Sequence, residues 1–412
     1  MPDIAALVRQ YGSPLYVYEL DAVQQAIVDL RAALPAKSVV YYSLKANPHI
    51  AISRELRESG CRAEISSPGE LEVALKAGFQ GLDCLYTGPG KTDSEIDHAL
   101  AKGVRRFSAE SAGELDRIGQ AALACGTEAT VLLRINGRSA GATGLRMSGA
   151  ESQFGVDEQQ VIGDPGRFRD VPGVRLAGVH LFPLSNARDE SSLIAAFQAS
   201  IALAARVRDR TGLPLRIIDL GGGFATPYAQ PGCRPTYRNL IDALSAALDE
   251  DLPGWRDRDI ELAFESGRYL VGDSGRLITT VQDVKTSGTR TFVVVDAGIN
   301  HLGGMAGLGR LAIPRATPEQ TGGAATRVTL VGPLCTPADV LGREVEVPAP
   351  TPGDLLVVPN VGAYGLSASL VAFLGRPAPT EVVMARDRVV DVSRLRLTYE
   401  NLPVEETVLE VS

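Results

Sequence analysis

The chain has 412 residues, with 41 lysines and arginines against 49 aspartates and glutamates; its net charge of -8 argues against nucleic acid as the main partner, since binding a phosphate backbone needs a positive surface. At 45% hydrophobic and 22% charged it has the composition of a soluble globular protein, and no apolar run approaches the length of a membrane span. The five cysteines (Cys61, Cys84, Cys125, Cys233, Cys335) lack the paired spacing of a zinc site or redox dithiol, and Met1-Pro2-Asp3-Ile4 does not open a secretory signal, so reduced thiols, no metal and a cytoplasmic location are expected.

The length suggests two domains. Leu15-Tyr16-Val17-Tyr18 reads as an early strand. Between residues 38 and 265 come eight short apolar or alternating runs, at 38–43, 63–65, 82–86, 104–108, 128–135, 175–180, 215–220 and 260–265. Segments of helical period separate most of them, such as Ile50 to Ser59 and Leu193 to Arg208, and eight such units predict a (β/α)8 barrel. Ser67-Pro68-Gly69-Glu70 marks a helix start, with a capping serine, proline at the first helical position and glutamate three residues on. After residue 270 helical period nearly disappears, and runs such as Arg290 to Asp296, Thr326 to Val331 and Asp354 to Pro359 alternate with Gly and Pro turns. The expected division is a barrel over 25–270 and a β-sandwich or β-barrel domain formed by 1–24 with 271–412. Gly303 to Ala325, rich in Gly, Ala and Pro, reads as a long loop.

Catalytic groups of such barrels come from the carboxyl ends of the strands, which here offer Lys45, Glu64, Thr87, Ser108, Arg134, Phe182 to Ser185, Gly221-Gly222-Gly223 and Glu265. Lys45 ends an extended apolar run; its amine is either partly desolvated and able to attack a carbonyl such as the aldehyde of pyridoxal 5'-phosphate (PLP), or a surface lysine at a strand terminus. The three glycines leave backbone N–H groups free to approach phosphate oxygens, although such a turn is as often a tight connection. Glu265 is suited to a protonated pyridine nitrogen, or else to an ion pair with Arg268, whose fork would otherwise suit the phosphate. Cys335 and Tyr364, each in a glycine-containing turn of the β-rich region, are, taken singly, more readily packing residues than chemical ones.

Together these motifs resemble the fold-type III PLP-dependent decarboxylases, the diaminopimelate, ornithine and arginine decarboxylase family with its alanine racemase-like fold. The resemblance spans nearly the whole chain. It implies Lys45 as the Schiff-base lysine, Arg134 near the cofactor hydroxyl, Gly221 to Gly223 as the phosphate turn, and Glu265 as the partner of the ring nitrogen. Glu64, Gly267 and Arg268 fall among the cofactor contacts, Cys335 on the general acid, and Tyr364 on a phosphate contact. It further implies a head-to-tail homodimer in which Cys335 and Tyr364 complete active sites shared with the partner's barrel.

The departures bear on substrate. Where the family has a stacking histidine followed by Gly-Ser, this chain reads His180-Leu181-Phe182-Pro183-Leu184-Ser185, which puts Phe182 against the ring, Ser185 at the phosphate, and leaves His180 as a satisfied strand-end residue. Thr336 follows the cysteine where an acid is usual, and Gly304 stands near the position of an arginine for a distal carboxylate. The wording around Glu265-Ser266-Gly267-Arg268, Cys335-Thr336-Pro337 and Tyr364-Gly365-Leu366 is similar to that of the subgroup acting on aminoacyl-carrier proteins, the butirosin-pathway type. The expectation is α-decarboxylation of a glutamyl, aspartyl or 3-methylaspartyl group thioesterified to an acyl carrier protein, in antibiotic biosynthesis. A free amino-acid decarboxylase, such as one for diaminopimelate, is the alternative, and a catalytically silent binding protein a third.

Overall fold

The computed structural model describes residues 3–137, 145–146, 152–187, 189–258, 260–303, 316–319 and 325–401. A first strand, β1 (Leu15–Glu19), stands apart from the eight that follow. These are β2 (Val39–Ser43), β3 (Arg62–Ile65), β4 (Cys84–Tyr86), β5 (Arg106–Ala109), β6 (Ala129–Asn136), β7 (Val174–His180), β8 (Ile217–Asp219) and β9 (Glu261–Ser266). Each pairs in parallel with its neighbours, and pairing of β9 with β2 closes the ring into a barrel. Buried on both faces, the strands run apolar almost throughout, as Val-Val-Tyr-Tyr does in β2.

Strand alternation then sorts the interior into layers. Tyr41, Leu85, Leu132, Ala177, Ile217 and Ala263 pack as one cluster that plugs the barrel. Two residues further along their strands from Tyr41, Arg62, Leu85, Arg106, Leu132, Ile217 and Ala263 come Ser43, Glu64, Thr87, Ser108, Arg134, Asp219 and Glu265, all polar and all buried. In β7 a register shift against β6 passes over Ala177, so that His180, rather than Val179, pairs beside Arg134 and Asp219. A polar layer thus lies immediately above a dry plug, at the carboxyl ends of the strands.

Beyond the barrel come β10 (Gly275–Ser287), β11 (Arg290–Val295), β12 (Ala325–Val331), β13 (Val340–Pro348), β14 (Leu355–Val358), β15 (Thr380–Ala385) and β16 (Arg388–Arg394). They form a second sheet in the order β13-β12-β11-β10-β1-β15-β16, with β14 also on β10. β1 runs antiparallel to β10 and parallel to β15, so the amino-terminal strand sits at the centre of this sheet. Its Leu15 and Val17 join Ile278, Val357 and Val382 on one face, whereas Tyr16 and Tyr18 face the main core. The helix Pro68–Ala77 begins at Ser67, whose hydroxyl accepts from the Glu70 N–H at 3.2 Å. All five cysteines are free thiols. Gly304 and most of the stretch from Gly303 to Ala325 lie outside the described residues.

Two contacts seat the second sheet's loops on the barrel mouth. Asn47 donates its amide to the Gly362 carbonyl at 2.8 Å, and the Tyr364 N–H donates to the Ala46 carbonyl at 2.7 Å. Gly362 allows this approach, because a Cβ there would lie 1.9 Å from the Val271 carbonyl oxygen.

Candidate active site

Lys45 follows β2 in a short 3-10 turn, and its Nζ lies 3.0 Å from both carboxylate oxygens of Glu64 on β3. The lysine side chain is 41% exposed to the barrel mouth while Glu64 is 1% exposed, so the amine reaches inward to a buried carboxylate. Burial alone would lower the Lys45 pKa, but the Glu64 and Glu265 carboxylates outweigh it and hold the amine above its ordinary range. Burial likewise pushes Glu64 up, and Lys45, with hydrogen bonds from Thr87 and Ser43, brings it below the usual carboxylate value. Glu64 is therefore the acceptor beside the lysine proton.

Across the layer, His180 Nδ1 and Ser108 Oγ are 2.7 Å apart, and His180 Nε2 lies 3.4 Å from Glu265 Oε1. His180 Nε2, Glu265 Oε1 and Asp219 Oδ2 are buried without a hydrogen-bond partner among the described residues. Burial, then the positive charges of Arg134, Lys45 and Lys91, push His180 well below its ordinary pKa, so it is neutral. Burial with the nearby Glu64 and Asp219 raises Glu265 well above its ordinary value, and burial raises Asp219 to about 7. His180 is thus satisfied at one nitrogen and not the other, which corrects the expectation of a fully satisfied strand-end residue. The Glu265–Arg268 ion pair does not form either: Glu265 turns to His180, and Arg268 to Ser185.

Ligand atoms of His180, Asp219 and Glu265 all lie within 4.8 Å of one another. That spacing would also admit a metal ion, but the layer already carries the Lys45 and Arg134 cations. A single protonated nitrogen of a flat heterocycle suits the orphaned Glu265 oxygen better, because it restores the carboxylate by pairing with it.

The opposite end suits a phosphate. Gly221 and Gly223 take left-handed backbone conformations at φ +67° and +115°, and a Cβ on Gly221 would approach Phe182 Cδ2 to 2.5 Å. Arg268 donates to Ser185 Oγ at 3.4 Å, and its guanidinium carbon lies 4.9 Å from the centre of the Tyr364 ring. Arg134 donates to Glu110 at 2.7 Å and lies over Phe154 and, at 5.8 Å, Phe182. Lysine, carboxylate, aromatic wall and phosphate cradle therefore line one cleft of a single chain and fit PLP.

Tyr364 belongs to that same cleft, through Arg268, Ala46 and a hydrogen bond from the Tyr228 hydroxyl to its carbonyl at 3.0 Å. Tyr364 therefore lies at the mouth of its own chain's barrel, whereas the resemblance implies that it completes a site shared with a partner's barrel. Cys335 is different. It is exposed on the loop between β12 and β13, and among the described residues it makes no hydrogen bond to the barrel. Thr336, beside it, uses its hydroxyl to accept from the Ala338 N–H at 3.3 Å.

Two supporting residues were not anticipated. Glu110 anchors Arg134 and accepts from the Gly155 N–H at 2.8 Å. Lys91 is buried, donating to the Gly88 and Ser108 carbonyls and to Glu114 at 3.0 Å. Ser111-Ala112-Gly113-Glu114 repeats the serine-to-glutamate spacing of Ser67 to Glu70, a signal that could have located Glu114 but not its lysine.

The model of the pyridoxal-dependent decarboxylase family's pyridoxal binding domain matches residues 20–272. The chain belongs to the pyridoxal-dependent decarboxylases. It is 34% identical to the L-glutamyl-[BtrI acyl-carrier protein] decarboxylase of Niallia circulans, over 92% of this chain and 91% of that one. It is 32% identical to the diaminopimelate decarboxylase of Archaeoglobus fulgidus, over 97% and 94%. The structure of Helicobacter pylori diaminopimelate decarboxylase complexed with L-lysine superposes with a TM-score of 0.81 at 29% identity, covering 95% of each chain. The chain is accordingly a PLP-dependent carboxy-lyase on a parallel barrel with a mainly sheet second domain.

Proposed function

We propose that this decarboxylase removes the α-carboxylate of a glutamyl, aspartyl or 3-methylaspartyl group whose side-chain carboxyl is held as a thioester on the phosphopantetheine of an acyl carrier protein. The product is a β- or γ-aminoacyl carrier for antibiotic or related natural-product assembly, made in the cytoplasm. The observation that carries this reading is the similarity to the carrier-protein decarboxylase of Niallia circulans, joined to the uncharged Thr336 after Cys335. A thioesterified side chain is neutral at its far end and needs no charged partner there.

In this reading, residues 25–270 form the cofactor barrel, and 1–24 with 271–412 form the domain that a second subunit presents to it. Bound PLP supplies an electron sink for the pair left when CO₂ departs. Lys45 would carry the cofactor, with Glu64 holding its amine in place by the paired contacts at 3.0 Å. Glu265 would pair with the ring nitrogen, with neutral His180 beside it to orient that carboxylate. Gly221, Gly222, Gly223, Ser185, Gly267, Arg268 and Tyr364 would hold the phosphate, Phe182 would supply an apolar wall for the ring, and Arg134 would serve the hydroxyl. Cys335 of the partner subunit protonates the α-carbon.

The homodimer is supported by what the second sheet leaves uncovered. β16 is an edge strand whose Val390 is 53% exposed, and Leu397 and Tyr399 beyond it are likewise exposed. The test of substrate compares carrier-bound glutamyl, aspartyl and 3-methylaspartyl groups with the free amino acids and with diaminopimelate, read by intact mass. Turnover of a carrier-bound group in preference to every free amino acid is expected. Equal or better turnover of a free amino acid replaces the carrier reading with that of a free amino-acid decarboxylase.

A further inference from the structure

The opposite end of the barrel holds a second cleft, of about 680 Å³, that the decarboxylation site does not use. It is lined by the starts of β2, β5, β6, β7, β8 and β9, together with Trp255 and Arg256 from the segment before β9. The strand β2 separates it from Lys45 by roughly 16 Å, given about 3.3 Å per residue.

Five cations face this cleft, Lys37, Arg106, Arg175, Arg216 and Arg256, against one carboxylate, Glu261. Glu261 is itself shared, since Arg106 lies 2.6 Å from it and Arg62 3.4 Å. Arg106 is fixed further by the Tyr41 hydroxyl at 2.7 Å, and Arg175 by Thr130 Oγ1 at 2.5 Å. Arg256 stacks on the buried Trp255 at 4.3 Å. Glu128 and Asp249 each meet one of these arginines, in exposed pairs that solvent screens. Lys37 and Arg216 have no carboxylate partner among the described residues.

In a chain of net charge -8, such a concentration of positive groups in one concave space is a local reversal of sign, and like charges held there repel unless an anion joins them. Several are guanidinium forks held by neighbours, the arrangement that recognises phosphate oxygens with little loss of side-chain freedom. The volume lies within the range of about 300–1,000 Å³ common for small-molecule sites. We propose that the base of the barrel is a binding site for a diphosphate-bearing anion, with Lys37 and Arg216 supplying the charge that protein carboxylates leave uncompensated.

The experiment uses the PLP-loaded enzyme, so that the cofactor's own phosphate site is filled, and titrates inorganic pyrophosphate, ADP and adenosine by calorimetry. Saturable binding of pyrophosphate and ADP but not adenosine is expected. ADP binding more tightly than pyrophosphate assigns the site to nucleotides, and equal affinities assign it to the diphosphate alone. Arg216→Glu should weaken binding by about tenfold or more, a loss of about 1.4 kcal/mol. Lys37→Ala, at an exposed turn, gives a second reading should the charge reversal disturb folding, and a several-fold loss is expected from it. No saturable binding of either diphosphate, or unchanged affinity in both variants, overturns the proposal.

Discussion

The Lys45–Glu64 pair shows how the lysine is anchored at the barrel mouth. The Glu64 and Glu265 carboxylates hold the amine protonated, so the same charge that fixes the side chain opposes loss of the proton it must shed before attacking a carbonyl. Lys45→Ala should abolish borohydride trapping of PLP and nearly all turnover, and unchanged trapping in that variant would remove Lys45 from the anchor role. Gly221 tests the other end of the cleft. At φ +67° an alanine costs roughly 1 kcal/mol in backbone strain, and its Cβ also meets Phe182, so Gly221→Ala should weaken PLP binding at least tenfold in a fluorescence titration. Wild-type affinity would show that the turn yields freely. Lys45, Glu64, Glu265 and the glycine turn were legible in the sequence because each directly ends a strand-like run. The meeting of His180 with Glu265 was not, since it depends on the register shift at Ala177, and a single strand's pattern does not reveal slippage against its neighbour.

Among the elements, the parallel pair β1–β15 carries a buried acid. Glu381 lies opposite Tyr16 in the register and accepts from the Tyr18 hydroxyl at 2.9 Å. Burial raises its pKa from 4.5 to about 7, with the Tyr18 hydrogen bond opposing and Asp391 adding to the rise. Between those two values the folded chain binds more protons than the unfolded one, so stability falls as pH rises through the window and levels off above it. Glu381→Gln keeps an acceptor for Tyr18 without the charge. Urea unfolding at pH 5, 6 and 8 should show the variant gaining on the wild type as pH rises, by roughly 1–3 kcal/mol in total. Parallel curves would mean that Glu381 ionises freely in the folded state. Taking the difference between the two proteins cancels other acids that titrate nearby, Asp219 and Glu70 among them. The barrel strands were readable as elements because burial on both faces makes them continuously apolar. β10 and β16 were not, since the second half of β10 is exposed and polar, and β16 is exposed along nearly all its length while rich in valine.

At the scale of the molecule, the lysine, carboxylates, arginines and tyrosine of the cleft come from one chain, and Cys335 stands apart from them. Lys45, Glu265, Arg268 and Tyr364 converge on a single barrel mouth, whereas Cys335 lies exposed on a loop to which Arg376 donates at the Pro333 carbonyl, with Phe373 and Leu374 exposed nearby in sequence. An exposed thiol, on a loop tied through Arg376 to a segment with exposed apolar residues, is what a two-fold partner would cover, and in a two-fold dimer each barrel would receive the other subunit's cysteine. That arrangement has a consequence no monomeric enzyme shares. Lys45→Ala and Cys335→Ala homodimers should each be severely impaired, the first for want of the anchoring amine and the second for want of the proton donor. Mixed after dissociation and reassociated, they form hybrids in which one site has both defects and the other has neither. With random pairing, half of the dimers are hybrid and half of their sites intact, so activity should recover to about a quarter of the wild-type value. Recovery should require the dissociation step and should vanish when Val390→Asp is added to both chains to block association through β16. Mixing that restores nothing, although size-exclusion confirms hybrid dimers, would place Cys335 in its own subunit's site or outside catalysis altogether.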